Sequence, residues 1–216
     1  MTPTLTAAIP LFEKFTALDA VGPYEVLQRI PFIEVVFVGE RRGEYRSENG
    51  MLGMMADATF AELSEPDILI FPGGFGTRPL QRDKMVVEWV RHAHMTTRFT
   101  TSVCTGSLVL GAAGLLQGLT ATTHWACYDE LAAHGAVPTA QRVVEHLDRR
   151  LVTAAGVSAG IDMALRLVEL VVDRTAAEAA QLMIEYDPQP PFDSGSPAKS
   201  SPPVVARVGE YASLRS

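Results

Sequence analysis

The sequence is poor in two kinds of residue that restrict what the protein can be. It has only two cysteines among 216 residues, which excludes a framework of several disulfides, and we expect both thiols to be free. Lys and Arg total 18 against 25 Asp and Glu, and the only adjacent basic pairs are Arg41-Arg42 and Arg149-Arg150. Because no basic stripe can follow a phosphate backbone, nucleic-acid binding is not expected.

Targeting and membrane-spanning signals are also missing. The N-terminus lacks a basic segment followed by a long apolar run and a small-residue cleavage site, so we expect no signal peptide and a cytoplasmic location. Residues 99–128 contain no Asp, Glu, Lys or Arg, but Thr105, Ser107, Gln117 and four glycines interrupt the stretch. We therefore interpret it as buried interior and expect no association with a membrane.

What the chain does contain is an alternation of short apolar runs and helical patterns. At 47% hydrophobic residues, it can bury a sizeable core. Apolar runs ended by Gly, Pro or charge, as in buried parallel strands, lie at 8–12, 33–38, 67–71 and 98–103. Helical patterns such as 85–93 lie between them. The alternation predicts an α/β fold, with a mostly parallel, flavodoxin-like sheet and helices on both faces.

The second half of the chain continues this pattern and then changes character. Helices are predicted at 107–116, 124–133, 161–172 and 175–186, with a hairpin tip at 147–150. Asp162 and Arg166 are four residues apart and are expected to pair across one helical turn. Residues 187–203 hold six prolines in 17 residues. We therefore predict an α/β domain over 1–186 and an extended, proline-rich tail over 187–216, with Phe192 as a possible apolar anchor.

Cys104 occupies the connection between a predicted strand and a predicted helix. The strand stops at Val103 and the helix starts near Ser107, so Cys104, Thr105 and Gly106 must form a tight turn, a nucleophile elbow. Such a turn raises its first side chain above the carboxyl edge of the sheet, where ligands bind in α/β folds. It also directs helix N–H groups at the sulfur, which favours thiolate. Burial as a small hydrophobic residue is the alternative.

Two further segments are expected at the same edge of the sheet. The glycine-rich segment at 71–76 follows a strand and offers backbone N–H groups from Gly73 and Gly74. It lacks the Lys-Ser/Thr of a phosphate-binding loop, and glycines needed only for the turn are an equal alternative. Asp19 precedes Gly22-Pro23 and either caps a helix there or exchanges a proton with a substrate near the thiol.

The second cysteine and the histidines give weaker signals. Cys127 lies in a helical pattern and is interpreted as core filler. His124 and Cys127 have the spacing of half a zinc site, but no second half exists, so no metal is expected. His124 itself is best explained as a structural residue at a helix start.

These motifs together resemble the ThiJ/PfpI superfamily, with its class I amidotransferase-like fold. The resemblance covers roughly residues 9–186 and is carried by VCTG, FPGGFG, LDAVGPYEVL, ATTHW and TAAGVSAGIDMAL. The superfamily commonly places His directly after the elbow cysteine, where this chain has Thr105, so a protease-like Cys-His pair is not expected. VCTG and ATTHW also occur in the sensor half of AraC-type regulators, but we expect no helix-turn-helix domain in 216 residues.

Within the superfamily, the Cys-Thr-Gly elbow, the aspartate of LDAVGP and the tail YDPQPPFDSGSP are similar to the isonitrile hydratases. This resemblance implies a cofactor-independent lyase that hydrates a small isonitrile to an N-substituted formamide. It assigns the nucleophile to Cys104, proton donation to Asp19 and a supporting hydrogen bond to Thr105, while Gly73, Gly74 and Gly106 define the substrate pocket. A homodimer is also implied.

Two other functions remain open from the sequence. A stand-alone sensor or redox-responsive protein could use the same elbow without turnover, because a low-pKa thiolate oxidises readily. A glyoxalase or deglycase-like activity on small aldehydes is the third hypothesis, which the missing histidine weakens.

Overall fold

A computed structural model describes residues 4–213 of the protein. The chain divides into two compact units, Met1–Ile184 and Glu185–Ser216. The predicted boundary after residue 186 stays a prediction, because compactness alone does not show which part folds independently. No helix within residues 4–213 is long and apolar enough to cross a membrane.

The first unit is built around a central β-sheet. The strands of this unit are β1 (Leu5–Pro10), β2 (Ile33–Gly39), β3 (Gly43–Arg46), β4 (Gly53–Ala56), β5 (Ala58–Thr59), β6 (Ile68–Phe71), β7 (Phe99–Val103), β8 (Thr120–Ala121), β9 (Val137–Pro138), β10 (Val143–His146) and β11 (Leu151–Ala154). Seven of them form the main sheet in the order β10-β11-β7-β6-β1-β2-β5. Every neighbouring pair in it is parallel except β10 and β11, so the predicted mostly parallel sheet is confirmed.

Helices cover the sheet in two groups. They are α1 (Ala17–Leu27), α2 (Thr77–Leu80), α3 (Lys84–Thr96), α4 (Gly106–Ala112), α5 (Tyr128–Ala133), α6 (Ala159–Val171) and α7 (Arg174–Met183). Helices α1, α6 and α7 pack against one another, while α2, α3 and α5 each pack against α4. Both groups contact β6 and β7, whose side chains are almost all buried. Burial on both faces explains why β6 is apolar throughout, while β7 buries three small hydroxyl side chains, Thr100, Thr101 and Ser102.

Two local expectations are wrong. Helix α1 begins at Ala17, before Gly22-Pro23, so Pro23 lies inside the helix instead of opening it. Asp162 and Arg166 do not form the expected pair across one turn of α6. Arg166 instead contacts Glu145 at 2.8 Å and Glu169 at 2.6 Å, while the partner of Asp162 is Arg142. Arg166 is thus held by one carboxylate on β10 and by one on its own helix, three residues further along.

The second unit contains more regular structure than predicted. Residues 187–196 have neither helix nor strand, as their prolines indicate. A 3-10 turn at Pro197–Lys199 and helix α8 (Pro202–Ser213) follow, and the sequence interpretation missed both. Phe192 is 79% exposed.

Candidate active site

Cys104 lies in the predicted tight turn, between the end of β7 at Val103 and the start of α4 at Gly106. Its φ of 56° is in the left-handed region, which residues other than glycine rarely adopt. The backbone is held there by hydrogen bonds on both sides. Its N–H donates to the carbonyl of Ala154 at 3.0 Å, and its carbonyl accepts from the hydroxyls of Ser107 and Thr123. Such strain persists only where the surroundings enforce it and is common at functional sites.

Asp19 lies next to Cys104, inside α1. Its side chain is completely buried, and its Oδ2 accepts a hydrogen bond from the Gly73 N–H at 2.9 Å. The other carboxyl oxygen, Oδ1, has no hydrogen-bond partner among the described residues. The N-cap of α1 is Thr16, so the capping explanation for Asp19 is wrong. A buried polar atom without a partner needs another explanation, and a proton offered to a ligand is one.

The environment of Asp19 favours its protonated form. Burial, which penalises the charged carboxylate, raises the pKa of Asp19 to about 8. The hydrogen bond from Gly73 and the nearby Cys104 thiol oppose this rise, while the charge of Glu48 adds to it. Since Oδ2 already accepts from Gly73, Oδ1 is the oxygen that can carry the proton.

Cys104 is also more protonated than the sequence indicates. The expectation of a stabilised thiolate is wrong, because burial and the Asp19 carboxylate raise the pKa of the Cys104 thiol well above its usual value. Backbone N–H groups of Thr105 and Val157 oppose this rise but do not reverse it. The turn therefore supplies donors to the sulfur, yet the burial of the thiol outweighs them.

The side chain of Thr105 holds the glycine-rich loop. Its Oγ1 accepts from the Gly74 N–H at 2.9 Å and from the Thr77 hydroxyl at 3.1 Å. It also lies 3.2 Å from the Gly74 carbonyl oxygen, to which it can donate. The side-chain bonds described for Thr105 do not reach Asp19 itself but hold Gly74, next to the Gly73 that donates to Asp19, so the expected supporting role near Asp19 stays a prediction. Its contact with a substrate stays a prediction.

The loop glycines bring backbone and side chains unusually close together. A Cβ on Gly73 would lie 2.8 Å from both Asp19 Oδ2 and the Cys104 Cβ, and one on Gly106 would overlap the Phe71 carbonyl oxygen. Gly74 has a φ of 134°. Because Asp19 and Thr105 already use the N–H groups of Gly73 and Gly74, these donors are not free to bind a developing negative charge. A role for the three glycines in substrate binding stays a prediction.

Val157 is the site residue that sequence reasoning missed. It lies between β11 and α6, and its N–H group is directed at the Cys104 sulfur. Its φ of 46° is an outlier for a β-branched side chain. The available signal was the glycine-containing segment 155–158, which follows a strand and therefore lies at the same edge of the sheet.

Comparison with known proteins gives this arrangement a family. The model of the DJ-1/PfpI family matches residues 5–170. The chain belongs to the DJ-1/PfpI family. It is 45% identical over 195 residues to the isonitrile hydratase of Pseudomonas putida, covering 90% of this chain and 84% of that protein. The alignment therefore includes nearly all of the DJ-1/PfpI region.

Other relatives have different architectures or no stated activity. A ThiJ/PfpI family protein from Pseudomonas syringae has a crystal structure that superposes with a TM-score of 0.91 and 37% identity, covering 98% of this chain and 88% of that one. The HTH-type transcriptional regulator CdhR of Pseudomonas aeruginosa is 30% identical over 84% of this chain, which spans only 52% of the regulator. The DJ-1/PfpI fold thus occurs in both catalytic and regulatory proteins, and the site must decide between them.

The second thiol of this DJ-1/PfpI chain has a different setting. Cys127 is buried at the end of a 3-10 helix, and Arg78 Nη2 lies 3.2 Å from its sulfur and 3.0 Å from Glu130 Oε1. Burial and Glu130 raise the pKa of the Cys127 thiol, which Arg78 partly offsets. Both cysteines are free, as expected.

His124 caps the same 3-10 helix. Its Nδ1 accepts from the Ala126 N–H at 3.3 Å, in agreement with the structural interpretation. Burial and the charge of Arg78 lower the pKa of His124, so its ring is neutral at pH 7. Within residues 4–213, no cluster of three or more His, Cys, Asp or Glu residues could hold a metal ion.

Proposed function

We propose that this protein hydrates isonitriles to N-substituted formamides, with Cys104 as nucleophile and Asp19 as proton donor. The observation that carries the proposal is the buried pair itself. A thiol in a strained turn lies beside a carboxylic acid whose pKa is about 8 and whose Oδ1 has no hydrogen-bond partner among residues 4–213. The identity of 45% to an isonitrile hydratase supports the same reaction.

The first half of the reaction is an addition at the terminal isonitrile carbon. In R–N≡C this carbon must gain both a sulfur and a hydrogen to become a thioimidate, R–N=CH–S. Asp19 Oδ1–H donates its proton to the carbon while the Cys104 sulfur forms the new C–S bond. The thiol proton passes to the Asp19 carboxylate, so the acid is restored and the net change is addition of S–H across one carbon. A protonated Asp19 and a neutral thiol are therefore a competent starting state.

The second half is hydrolysis of the thioimidate. Asp19 gives its proton to the imidate nitrogen and regains one from the water that adds to the carbon, which forms R–NH–CH(OH)–S. The proton of the new hydroxyl group passes to the departing sulfur. Breaking the C–S bond then releases R–NH–CHO and returns the Cys104 thiol. One carboxyl group can serve both halves because it begins and ends each half protonated.

The residue after the cysteine fits this chemistry. A histidine at position 105 could withdraw the thiol proton permanently, as in Cys-His hydrolases. Thr105 cannot, and its hydroxyl is engaged with the loop that donates to Asp19. We propose that Thr105 is a positioning residue, and that no cofactor is required because both halves use only proton transfers and the sulfur.

The redox-sensor hypothesis is less well supported. Rapid oxidation requires an exposed thiolate, whereas Cys104 is 5% exposed and its thiol has a raised pKa. The aldehyde-directed hypothesis gains no support from the site, since no histidine pairs with the Cys104 sulfur among the described hydrogen bonds.

The direct experiment is to incubate the protein with cyclohexyl isonitrile and to follow formamide by mass spectrometry. We expect formamide carrying one oxygen from labelled water, and a thioimidate on Cys104 when the reaction is quenched early. The absence of formamide with both aryl and alkyl isonitriles would contradict the proposal. Methylglyoxal, expected to be inert, serves as the control for the aldehyde-directed hypothesis.

We also propose that the protein is a cytoplasmic homodimer, as its resemblance to the superfamily implies. Light scattering after size-exclusion chromatography tests the assembly against the monomer mass of 23.3 kDa. A monomer at micromolar concentration would contradict it.

A further inference from the structure

Glu48 is an acidic residue that the proposed reaction does not use. It is hydrogen-bonded both to the residues before α1, the helix that carries Asp19, and to the glycine-rich loop that donates to Asp19. It lies just after β3, with its side chain exposed. Its N–H donates to the carbonyl of Phe15 at 3.1 Å, next to the Thr16 N-cap of α1. Its Oε1 accepts from the Phe75 N–H at 3.3 Å, two residues beyond Gly73.

The charge of Glu48 is not neutralised by a neighbouring cation. No Lys, Arg or His within residues 4–213 forms an ion pair with it, whereas Arg78 is paired with Glu130 at 3.0 Å. Glu48 acts electrostatically on the carboxyl of Asp19 and on His124. Of the two groups on which Glu48 acts, Asp19 is a buried acid and His124 is neutral at pH 7, so neither neutralises the Glu48 carboxylate.

Apolar side chains on the same segments are partly exposed, and the guanidinium of Arg78, which pairs with Glu130, lies 5.7 Å from the centre of the Phe75 ring. Leu18, which precedes Asp19, is 41% exposed, and Phe75, whose N–H binds Glu48, is 45% exposed. Such surfaces suit an uncharged hydrocarbon group and offer an anionic group no hydrogen-bond donor. The N–H groups of Gly73, Gly74 and Phe75 are all engaged with protein oxygens.

We infer that Glu48 is a specificity-determining residue, which makes the Cys104 site discriminate against anionic reactants and in favour of neutral or cationic ones. The substrate class rests on the proposed function: if the protein hydrates isonitriles, its substrates are those with uncharged or cationic R groups. Isonitriles that carry a carboxylate are disfavoured, because their charge would approach the unpaired Glu48 carboxylate where the N–H groups of Gly73, Gly74 and Phe75 are already engaged.

The discrimination can be measured without relying on turnover. Iodoacetamide and iodoacetate transfer groups of similar size to a thiol, but only iodoacetate is anionic. We would measure the rate at which each alkylates Cys104, located by peptide mass, in wild type and in Glu48→Gln. The glutamine keeps an oxygen that can accept from Phe75 N–H, so only the charge is removed. At low salt, the ratio of the iodoacetate rate to the iodoacetamide rate is expected to be about threefold higher in Glu48→Gln than in wild type. In 1 M salt most of this difference between the two proteins should disappear.

A matched control separates a local charge from the net charge of the protein. Glu34 is exposed on β2 and is paired in register with Thr6, near the amino-terminal ends of these parallel strands and away from the elbow. Glu34→Gln removes the same charge and is expected to leave the ratio unchanged. An unchanged ratio in Glu48→Gln, or equal changes in both variants, would overturn the inference. Equal acceleration of both reagents in Glu48→Gln would also overturn it, because Glu48 would then act only on the thiol.

Turnover adds a second, separable readout. Wild type is expected to hydrate benzyl isonitrile with a kcat/KM at least about threefold above that for isocyanoacetate. In Glu48→Gln this ratio of the two kcat/KM values is expected to be smaller. A wild type inactive on both compounds would contradict the proposed function, while the alkylation ratio would still decide the role of Glu48. The same kcat/KM ratio in wild type and in Glu48→Gln would overturn the role of Glu48 without affecting the proposed function.

Discussion

The two cysteines of this chain are nearly equal in burial and very different in setting. Cys104 is 5% exposed and Cys127 is 6% exposed, so burial does not distinguish them. Cys104 is held at a φ of 56° beside a buried acid and two backbone donors. Cys127 has a negative φ of −124° at the N-cap of α5, beside Arg78 and Glu130, which pair with each other.

The difference between the two cysteines indicates that the proposed reaction depends on an acid that can donate a proton beside the thiol, and not on a lowered thiol pKa. The cation Arg78 favours a Cys127 thiolate, whereas the groups that favour a Cys104 thiolate are the backbone N–H groups of Thr105 and Val157. Yet only Cys104 adjoins an acid that can protonate a substrate carbon. A reaction that needs sulfur and hydrogen on the same carbon therefore selects Cys104.

Removal of each thiol gives the largest contrast. Cys104→Ala is expected to lower kcat/KM for an isonitrile by at least about 1,000-fold, since no other group can form the C–S bond. Cys127→Ala is expected to stay within about threefold of wild type, because it deletes a packing group away from the reacting carbon. Formamide release measured by mass spectrometry checks both. Comparable losses in the two variants would contradict the distinction between the thiols.

Removal of the acidic proton alone comes next. Asp19→Asn keeps the shape and an oxygen that can accept from Gly73 N–H, but it cannot give and regain a proton. Loss of a general acid of this kind lowers the rate by about 100- to 10,000-fold. Stopped assays of kcat are the measurement, and circular dichroism controls for folding. An active Asp19→Asn would demote the acid to a structural role.

The pH dependence provides a further contrast. Because the protonated form of Asp19 is the active one, kcat/KM is expected to fall as pH rises through about 8, up to tenfold per pH unit. Alkylation of Cys127 by iodoacetamide should not fall over this range, since thiolate only becomes more abundant. A kcat/KM that rises through pH 8 would show that ionised Asp19 or Cys104 thiolate is the active form.

The raised pKa of Asp19 also makes the free energy of unfolding depend on pH. A carboxyl whose pKa is raised from 3.8 to about 8 by folding contributes stability that is fully present below about pH 4 and is lost as pH rises through about 8. Thermal unfolding at pH 5 and pH 9 should therefore show a larger drop in Tm for wild type than for Asp19→Asn. Equal drops would contradict the raised pKa.

Much of the fold followed from local sequence. The strands at 33–38 and 67–71 were placed within a residue of Ile33–Gly39 and Ile68–Phe71, because buried parallel strands are apolar throughout and end at Gly, Pro or charge. The turn at Cys104 is predicted from sequence spacing, because the strand that ends at Val103 and the helix that begins near Ser107 leave only three residues to connect them. These features depend on neighbours along the chain.

The errors concern features that depend on neighbours in space. The start of α1 was misplaced because Gly22-Pro23 is typical of a helix start, whereas Asp19 is actually enclosed by the loop at Gly73. The pKa of Cys104 was misjudged because a helix start is visible in sequence and desolvation is not. The positive φ of Val157 was missed because a β-branched residue rarely adopts it, and no local pattern predicts it.

Loosening the loop that holds Asp19 is expected to have the smallest effect of this series. Thr105→Val removes the bonds to Gly74 and Thr77 with little change in volume, so Gly73 is less firmly held against Asp19 Oδ2. We expect kcat to fall about tenfold, as when a reacting group is slightly misplaced, while Thr105→Ser, which keeps the hydroxyl, recovers most of the loss. The pH at which kcat/KM falls should move in Thr105→Val as the Gly73 bond weakens, a change that a purely structural defect would not produce. Thr105 shares the Gly74 carbonyl with Arg78, which also contacts Cys127, so thermal unfolding and not Cys127 alkylation is the control. A Tm that falls in parallel with kcat would mean that the substitution loosens the whole domain and not the Cys104 site.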